Sequence, residues 1–73
     1  LGADFHAQVD LGRARAWRIL GDLRRATTFQ EKVVRHTPRD PARWLELAAL
    51  YQAQGRADSA EQARLRAREL GSP

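Results

Sequence analysis

Apolar residues in this chain recur at three- and four-residue intervals and do not alternate, so the pattern is that of helices. From about Phe5 to Leu20, a wide apolar face is built by Val9, Leu11, Ala14, Ala16, Trp17, Ile19 and Leu20. Gly12 falls inside this first helix and costs it about 1 kcal/mol relative to Ala. Gly21-Asp22 then predicts a turn, because Gly accepts a left-handed backbone and Asp caps the helix that follows. A second helix is predicted over about Leu23 to His36, with Leu23, Ala26, Phe29 (or Gln30) and Val33 inward. Thr37-Pro38 and Asp40-Pro41 oppose its continuation, and Arg35 and His36 set positive charge against its negative end.

Asp40 as N-cap and Pro41 as first residue open a third helix, in which Trp44, Leu45, Leu47, Ala48, Leu50 and Tyr51 follow in register until Gly55 closes it. The fourth is predicted from about Ala57 to Leu70, with a small-residue stripe of Ala57, Ala60, Ala63 and Ala67 and a stop at Gly71-Ser72-Pro73. Such short connections make successive helices antiparallel neighbours. Two hairpins stacked side by side and a closed four-helix bundle both satisfy this pattern.

A spacing of 34 residues separates the two halves. Leu11 recurs as Leu45, Ala14 as Ala48, Trp17 as Tyr51, Gly21 as Gly55 and Ala26 as Ala60. In an Ala- and Arg-rich chain, identities alone carry little weight. Their positions carry more: an aromatic ends one helix, Gly makes the turn, and Ala opens the next helix.

On these residues the chain resembles two consecutive tetratricopeptide repeats, from about Ala7 to Asp40 and from Pro41 to Pro73. The second match is the fuller one. Trp44, Leu47, Ala48 and Tyr51 fall where the family has its Trp, Leu, small residue and Tyr, and Gly55, Ala60 and Ala67 take its turn and small-residue positions. In the first repeat Trp17 stands for the Tyr, Gly21 and Ala26 match, Val33 replaces the later Ala, and Pro38 fits the inter-repeat Pro. Asp10 and Arg13 stand where Trp and Leu are expected. Gln30 and Arg64 replace the large apolar residue that packs toward the following unit, and Glu61, Arg64 and Arg68 read as the polar outer edge that ends an array.

The resemblance implies an all-α fold: two antiparallel helix–turn–helix hairpins stacked as a short α-solenoid, one domain over residues 1–73, with repeat one at about 7–40 and repeat two at about 41–73. It also implies a protein–protein interaction or assembly module that binds a peptide or helix on the concave face made by the first helix of each repeat. On this chain that face maps to Leu11, Arg15, Arg18 and Ile19, joined by Leu45, Ala49 and Gln52. The family's clamp for chaperone carboxyl tails is not expected, because Arg15 replaces its Asn while Ala42 and Glu46 replace basic or amide positions.

Composition narrows the rest. A chain of 73 residues buries only about 60% of its unfolded surface, and two repeats are fewer than the three or more that such arrays need. Self-association as a dimer, or marginal stability, is therefore expected. No Cys is present to add a disulfide or a thiolate metal site. A start at Leu1 with no Met reads as a fragment of a longer protein, and twelve Arg among thirteen basic residues reads as a GC-rich bacterial source. No apolar run approaches the ~20 residues of a membrane-spanning helix, so no membrane insertion is expected.

The chemistry-bearing residues are sparse. Ser59, Ser72 and the three Thr residues have no His or Lys spaced to activate them, and no Gly-rich phosphate loop is present. His6 and Asp10 lie four apart on the first helix without a third or fourth ligand at suitable spacing. No catalysis, metal or cofactor is expected. The alternative is a small basic helical nucleic-acid-binding domain, since the net charge is +4 and Arg13, Arg15, Arg18, Arg24, Arg25 and Arg35 surround Trp17. Arg13 and Arg15 project about 160° apart on a helix, and Asp10, Asp22 and Glu31 dilute the field, so this stands second.

Overall fold

The computed structural model describes residues 2–71. It contains α1 (Ala3–Ile19), α2 (Leu23–His36), α3 (Pro41–Ala53) and α4 (Ala57–Gly71), with no strand among the described residues. The second helix has the bounds its sequence predicts. The first is displaced: it starts two residues before Phe5 and ends one before Leu20, where the chain already turns toward Gly21. The fourth runs through Gly71, and the stop expected at Ser72-Pro73 lies outside the described residues.

Local chemistry explains these bounds. An Asp22 carboxylate oxygen accepts from the Arg25 amide at 3.0 Å, and Asp40 accepts from Ala42 at 3.1 Å ahead of Pro41. Both hairpin turns use Gly at positive φ, 85° at Gly21 and 73° at Gly55. Six residues around each turn repeat the same closure, with Asp22 N–H donating to Trp17 O and Arg56 N–H donating to Tyr51 O, both at 2.9 Å.

The helices pack in chain order: α1 on α2, α2 on α3, α3 on α4, with no backbone approach of α1 to α4 among the described residues. The closed bundle is thereby excluded. The fold is all-α, two antiparallel hairpins stacked into a slab of 35 × 35 × 13 Å. The core cluster draws Val34 from α2, Leu47, Ala48 and Tyr51 from α3, and Ala60 and Ala63 from α4, with Trp44 packed against it. Ala26 and Ala60, the 34-residue pair, are both fully buried where the helices of a hairpin pack. Ala57 is exposed, so the small-residue stripe begins at Ala60.

Polar ties fix the register of the two hairpins. Gln30, and not Phe29, is the fully buried residue of the pair, and its Nε2 donates to the Arg43 carbonyl at 3.0 Å. The amide at this internal junction is therefore satisfied, as a buried polar group must be. Gln54 Nε2 donates to Thr27 Oγ1 at 2.6 Å, Trp44 Nε1 to Pro38 O at 2.8 Å, and the Tyr51 hydroxyl to Glu31 Oε2 at 2.5 Å.

The first helix is rotated from its expected setting. Ala7, Asp10, Leu11 and Ala14 are buried, whereas Val9, Ala16, Ile19 and Leu20 are exposed and Trp17 is half-buried. An edge helix covered by one neighbour cannot bury a wide face.

Burial, followed by the hydrogen bond and charge of Glu31, pushes the Tyr51 phenol up to about 12 from 10, with Arg56 opposing. Because the folded value lies above the unfolded one, this contribution to stability is whole below pH 10 and is lost as pH rises through about 12. Tyr51 is the sole tyrosine, so phenolate absorbance follows it alone. Its midpoint should fall toward 10 in Glu31→Gln; an unchanged midpoint would remove Glu31 as a cause. Gly55→Val, forced into a left-handed conformation, and Ala60→Leu, overpacking a fully buried site, should each cost about 1–3 kcal/mol in denaturant titration.

Candidate functional site

The expected binding residues lie on α1 and α3, which flank the seam made with α2. Arg15 Nη2 reaches across to Glu46 Oε1 at 3.4 Å, and this pair closes a shallow groove lined by Ala14, Arg15, Arg18, Gln30, Glu46 and Leu50. Beside Glu46, Leu45, Ala49 and Gln52 share one exposed face of α3 at helical spacing, Leu45 being 52% exposed. Gln52 Oε1 accepts from Arg64 Nη1 at 3.5 Å, which steadies the amide from α4. Arg15, Arg18, Leu45, Ala49 and Gln52 thus border a common groove and face.

Two expected residues do not join them. Leu11 is only 6% exposed and packs inward. Ile19 is 86% exposed, but it continues the outward stripe of α1 with Val9, Gly12 and Ala16.

Leu11 floors a neighbouring hollow of about 130 Å³, with Asp4, Gln8, Val33, Thr37 and Arg43 around it. Arg43 is already matched there. Its Nη1 lies 2.7 Å from Glu46 Oε1 in a Coulombic contact without hydrogen-bond geometry, and its Nε lies 3.4 Å from Asp40 Oδ2.

The aromatic side chains serve packing more than display. Tyr51 is buried, Trp44 is half-buried and hydrogen-bonded, and Trp17 is half-buried with the Arg25 guanidinium 4.6 Å above its ring. Arg56 stands over Tyr51 at the same distance.

Sequence reasoning missed the surroundings of Asp10. Its buried carboxylate lies 3.6 Å from Arg13 Nη1 and 3.4 Å from His36 Nε2, and the His6 ring stacks on His36 with centroids 5.7 Å apart. The available signal was topological: a hairpin turning at Gly21 brings the start of α1 beside the end of α2. Among the described residues no group of three or more His, Asp or Glu is disposed to hold a metal ion. Of the six arginines around Trp17, Arg13, Arg15 and Arg25 are engaged with Asp10, Glu46 and Asp22, while Arg18, Arg24 and Arg35 are exposed.

No protein-family model matches this chain, and no curated protein or solved structure matches it. No helix among the described residues is long and apolar enough to cross a membrane.

Leu11 and Leu45, equivalent by the 34-residue spacing, should separate cleanly. Leu11→Ala should cost about 2–5 kcal/mol, as a buried truncation does, and Leu45→Ala no more than about 0.5 kcal/mol. Equal losses in thermal unfolding would contradict the rotation of α1.

Proposed function

We propose that this chain is a pair of tetratricopeptide-type repeats acting as a protein–protein interaction or assembly module. A peptide or helix lies along the groove between α1 and α3 and on the adjoining face of α3. The supporting observation is the joint exposure of Leu45, Ala49 and Gln52 beside the Arg15–Glu46 pair and Arg18. Leu45 and Ala49 supply apolar area, Gln52 offers an amide for register, and Arg18 attracts a carboxylate on the ligand. Arg15 is neutralised by Glu46 and contributes mainly the stem of its side chain. Leu11 is buried beside the neighbouring hollow and stands apart from this face.

The test is capture of partners from source lysate by the wild-type chain and by a Leu45→Glu, Ala49→Glu variant, each with and without nuclease. Both positions are exposed, so the variant should keep its helical circular dichroism. A discrete set of proteins that survives nuclease and is lost in the variant supports the module. Equal capture by both chains would reject this face, and nucleic acid released by modest salt would favour the basic alternative.

A further inference from the structure

Between α3 and α4 runs an open groove of about 280 Å³, with Trp44, Leu47 and Tyr51 on one side and Ser59, Ala63 and Arg66 on the other. It lies on a different side of α3 from Leu45, Ala49 and Gln52.

The first hairpin shows what this space holds when the chain fills it. Moved back by 34 residues, the same positions become Asp10, Arg13 and Trp17 on α1 and Arg25, Phe29 and Lys32 on α2. The Arg25 guanidinium lies over the Trp17 ring at 4.6 Å. The Phe29 ring has the Lys32 ammonium 5.1 Å and the Arg13 guanidinium 5.7 Å from its centre, and Arg13 also reaches Asp10 at 3.6 Å. In the second hairpin Ser59 replaces Arg25 and Ala63 replaces Phe29, so the ring and the guanidinium are both missing. The wall they would face has become more apolar, since Leu47 replaces Arg13 and Trp44 replaces Asp10. The cation one turn beyond the ring is kept, as Arg66 in place of Lys32.

We propose that this groove binds a small aromatic carboxylate. Its ring seats over Ala63 against Trp44, Leu47 and Tyr51, in the place that Phe29 takes in the first hairpin, and its carboxylate meets Arg66. The Ser59 hydroxyl and the Gln62 amide lie along the same wall, where they can donate to the second carboxylate oxygen.

Charge selects an acid over an amine. Arg66 is exposed and, unlike Arg13, Arg15, Arg25, Arg43 and Arg64, meets no carboxylate among the described residues. Arg56 stands over the Tyr51 ring at 4.6 Å, so both ends of the groove are basic. Of the nearby acids, Glu31 accepts from the Tyr51 hydroxyl. Asp58 and Glu69 fall about 90–110° round α4 from the line of Ser59, Ala63 and Arg66, and so flank the groove without facing into it. A cation seated as Arg25 is on Trp17 would lie between two guanidinium groups. Size limits the ligand to one ring with a short acid tail, because the groove falls just below the ~300 Å³ at which pockets for drug-sized molecules begin.

Trp17→Phe leaves Trp44 as the sole tryptophan, and its fluorescence reports on the groove in that background. The ligand used is 3-phenylpropionate, whose ring does not absorb where tryptophan is excited. Emission should change saturably, with a Kd of roughly 1 mM for a ligand of this size. The uncharged 3-phenylpropanol should bind about threefold to tenfold more weakly, and Arg66→Gln should erase that difference. Ala63→Phe supplies the ring from the chain itself and should abolish binding with the helical signal intact. Ser59→Arg, which restores the guanidinium of the first hairpin at a half-buried position, should do the same and serves where Ala63→Phe does not fold. No saturable response by about 10 mM would overturn the proposal, as would equal affinity for acid and alcohol before Arg66 is changed. Undiminished binding in the folded groove-filling variants would overturn it too. So would loss of the response in the Leu45→Glu, Ala49→Glu variant, which would move the ligand to the α3 face. Because the groove shares no residue with that face, ligand binding that survives this variant while partner capture does not keeps the two readings separate.

Discussion

The seam between α2 and α3 is the constraint on which the rest of the molecule depends. Among the described residues backbone packing occurs only between successive helices, so this seam joins the hairpins, helped by the Arg15–Glu46 side-chain pair. Its apolar part is small: Val34 with Leu47, Ala48 and Tyr51, extended into α4 by Ala60 and Ala63. Non-directional burial of that size holds two helices together without choosing one register. The polar ties Gln30 to Arg43, Thr27 to Gln54 and Glu31 to Tyr51 make the choice. Each is worth about 1 kcal/mol when made and more when left unmade, so a slipped seam loses more than an aligned one gains. The groove between α1 and α3 exists because this register brings Arg15 opposite Glu46.

The fold was legible because its punctuation is local. Gly21, Asp22, Asp40, Pro41 and Gly55 act through their own backbone and caps, and the helix bounds follow them closely. The 34-residue spacing was informative where the two halves have like neighbours: Gly21 and Gly55 share a positive φ, and Ala26 and Ala60 are equally buried. It misled where the neighbours differ. Leu11 is buried and Leu45 is exposed although they are equivalent in period: Leu11 borders a hollow shared with Val33 of α2 and Arg43 of α3, whereas Leu45 faces solvent. Asp10, in the place of Trp44, turns the first helix further, since its carboxylate is held by Arg13 and His36 where an aromatic ring would pack.

The candidate site was legible to the same depth. Helical spacing suffices to put Leu45, Ala49 and Gln52 on one face, whatever packs on the far side of α3. It does not reveal that Arg15 is neutralised by Glu46 or that Gln52 is tied to Arg64, because both contacts join residues on different helices. Nor does it mark Gln30 as the buried member of α2, since an amide in that position earns burial only through the Arg43 carbonyl opposite. Contacts set by long-range register are those a single sequence leaves open.

The outward sides of α1 and α4 are unlike. At α4 the outward side is charged, and Arg64 and Glu61 meet at 3.3 Å, so that edge is at rest in water. At α1 the outward side is apolar, and Ile19 and Leu20 stand in solvent. The sides that α1 and α4 turn away from the core thus differ in kind, one carrying paired charge and the other an apolar stripe.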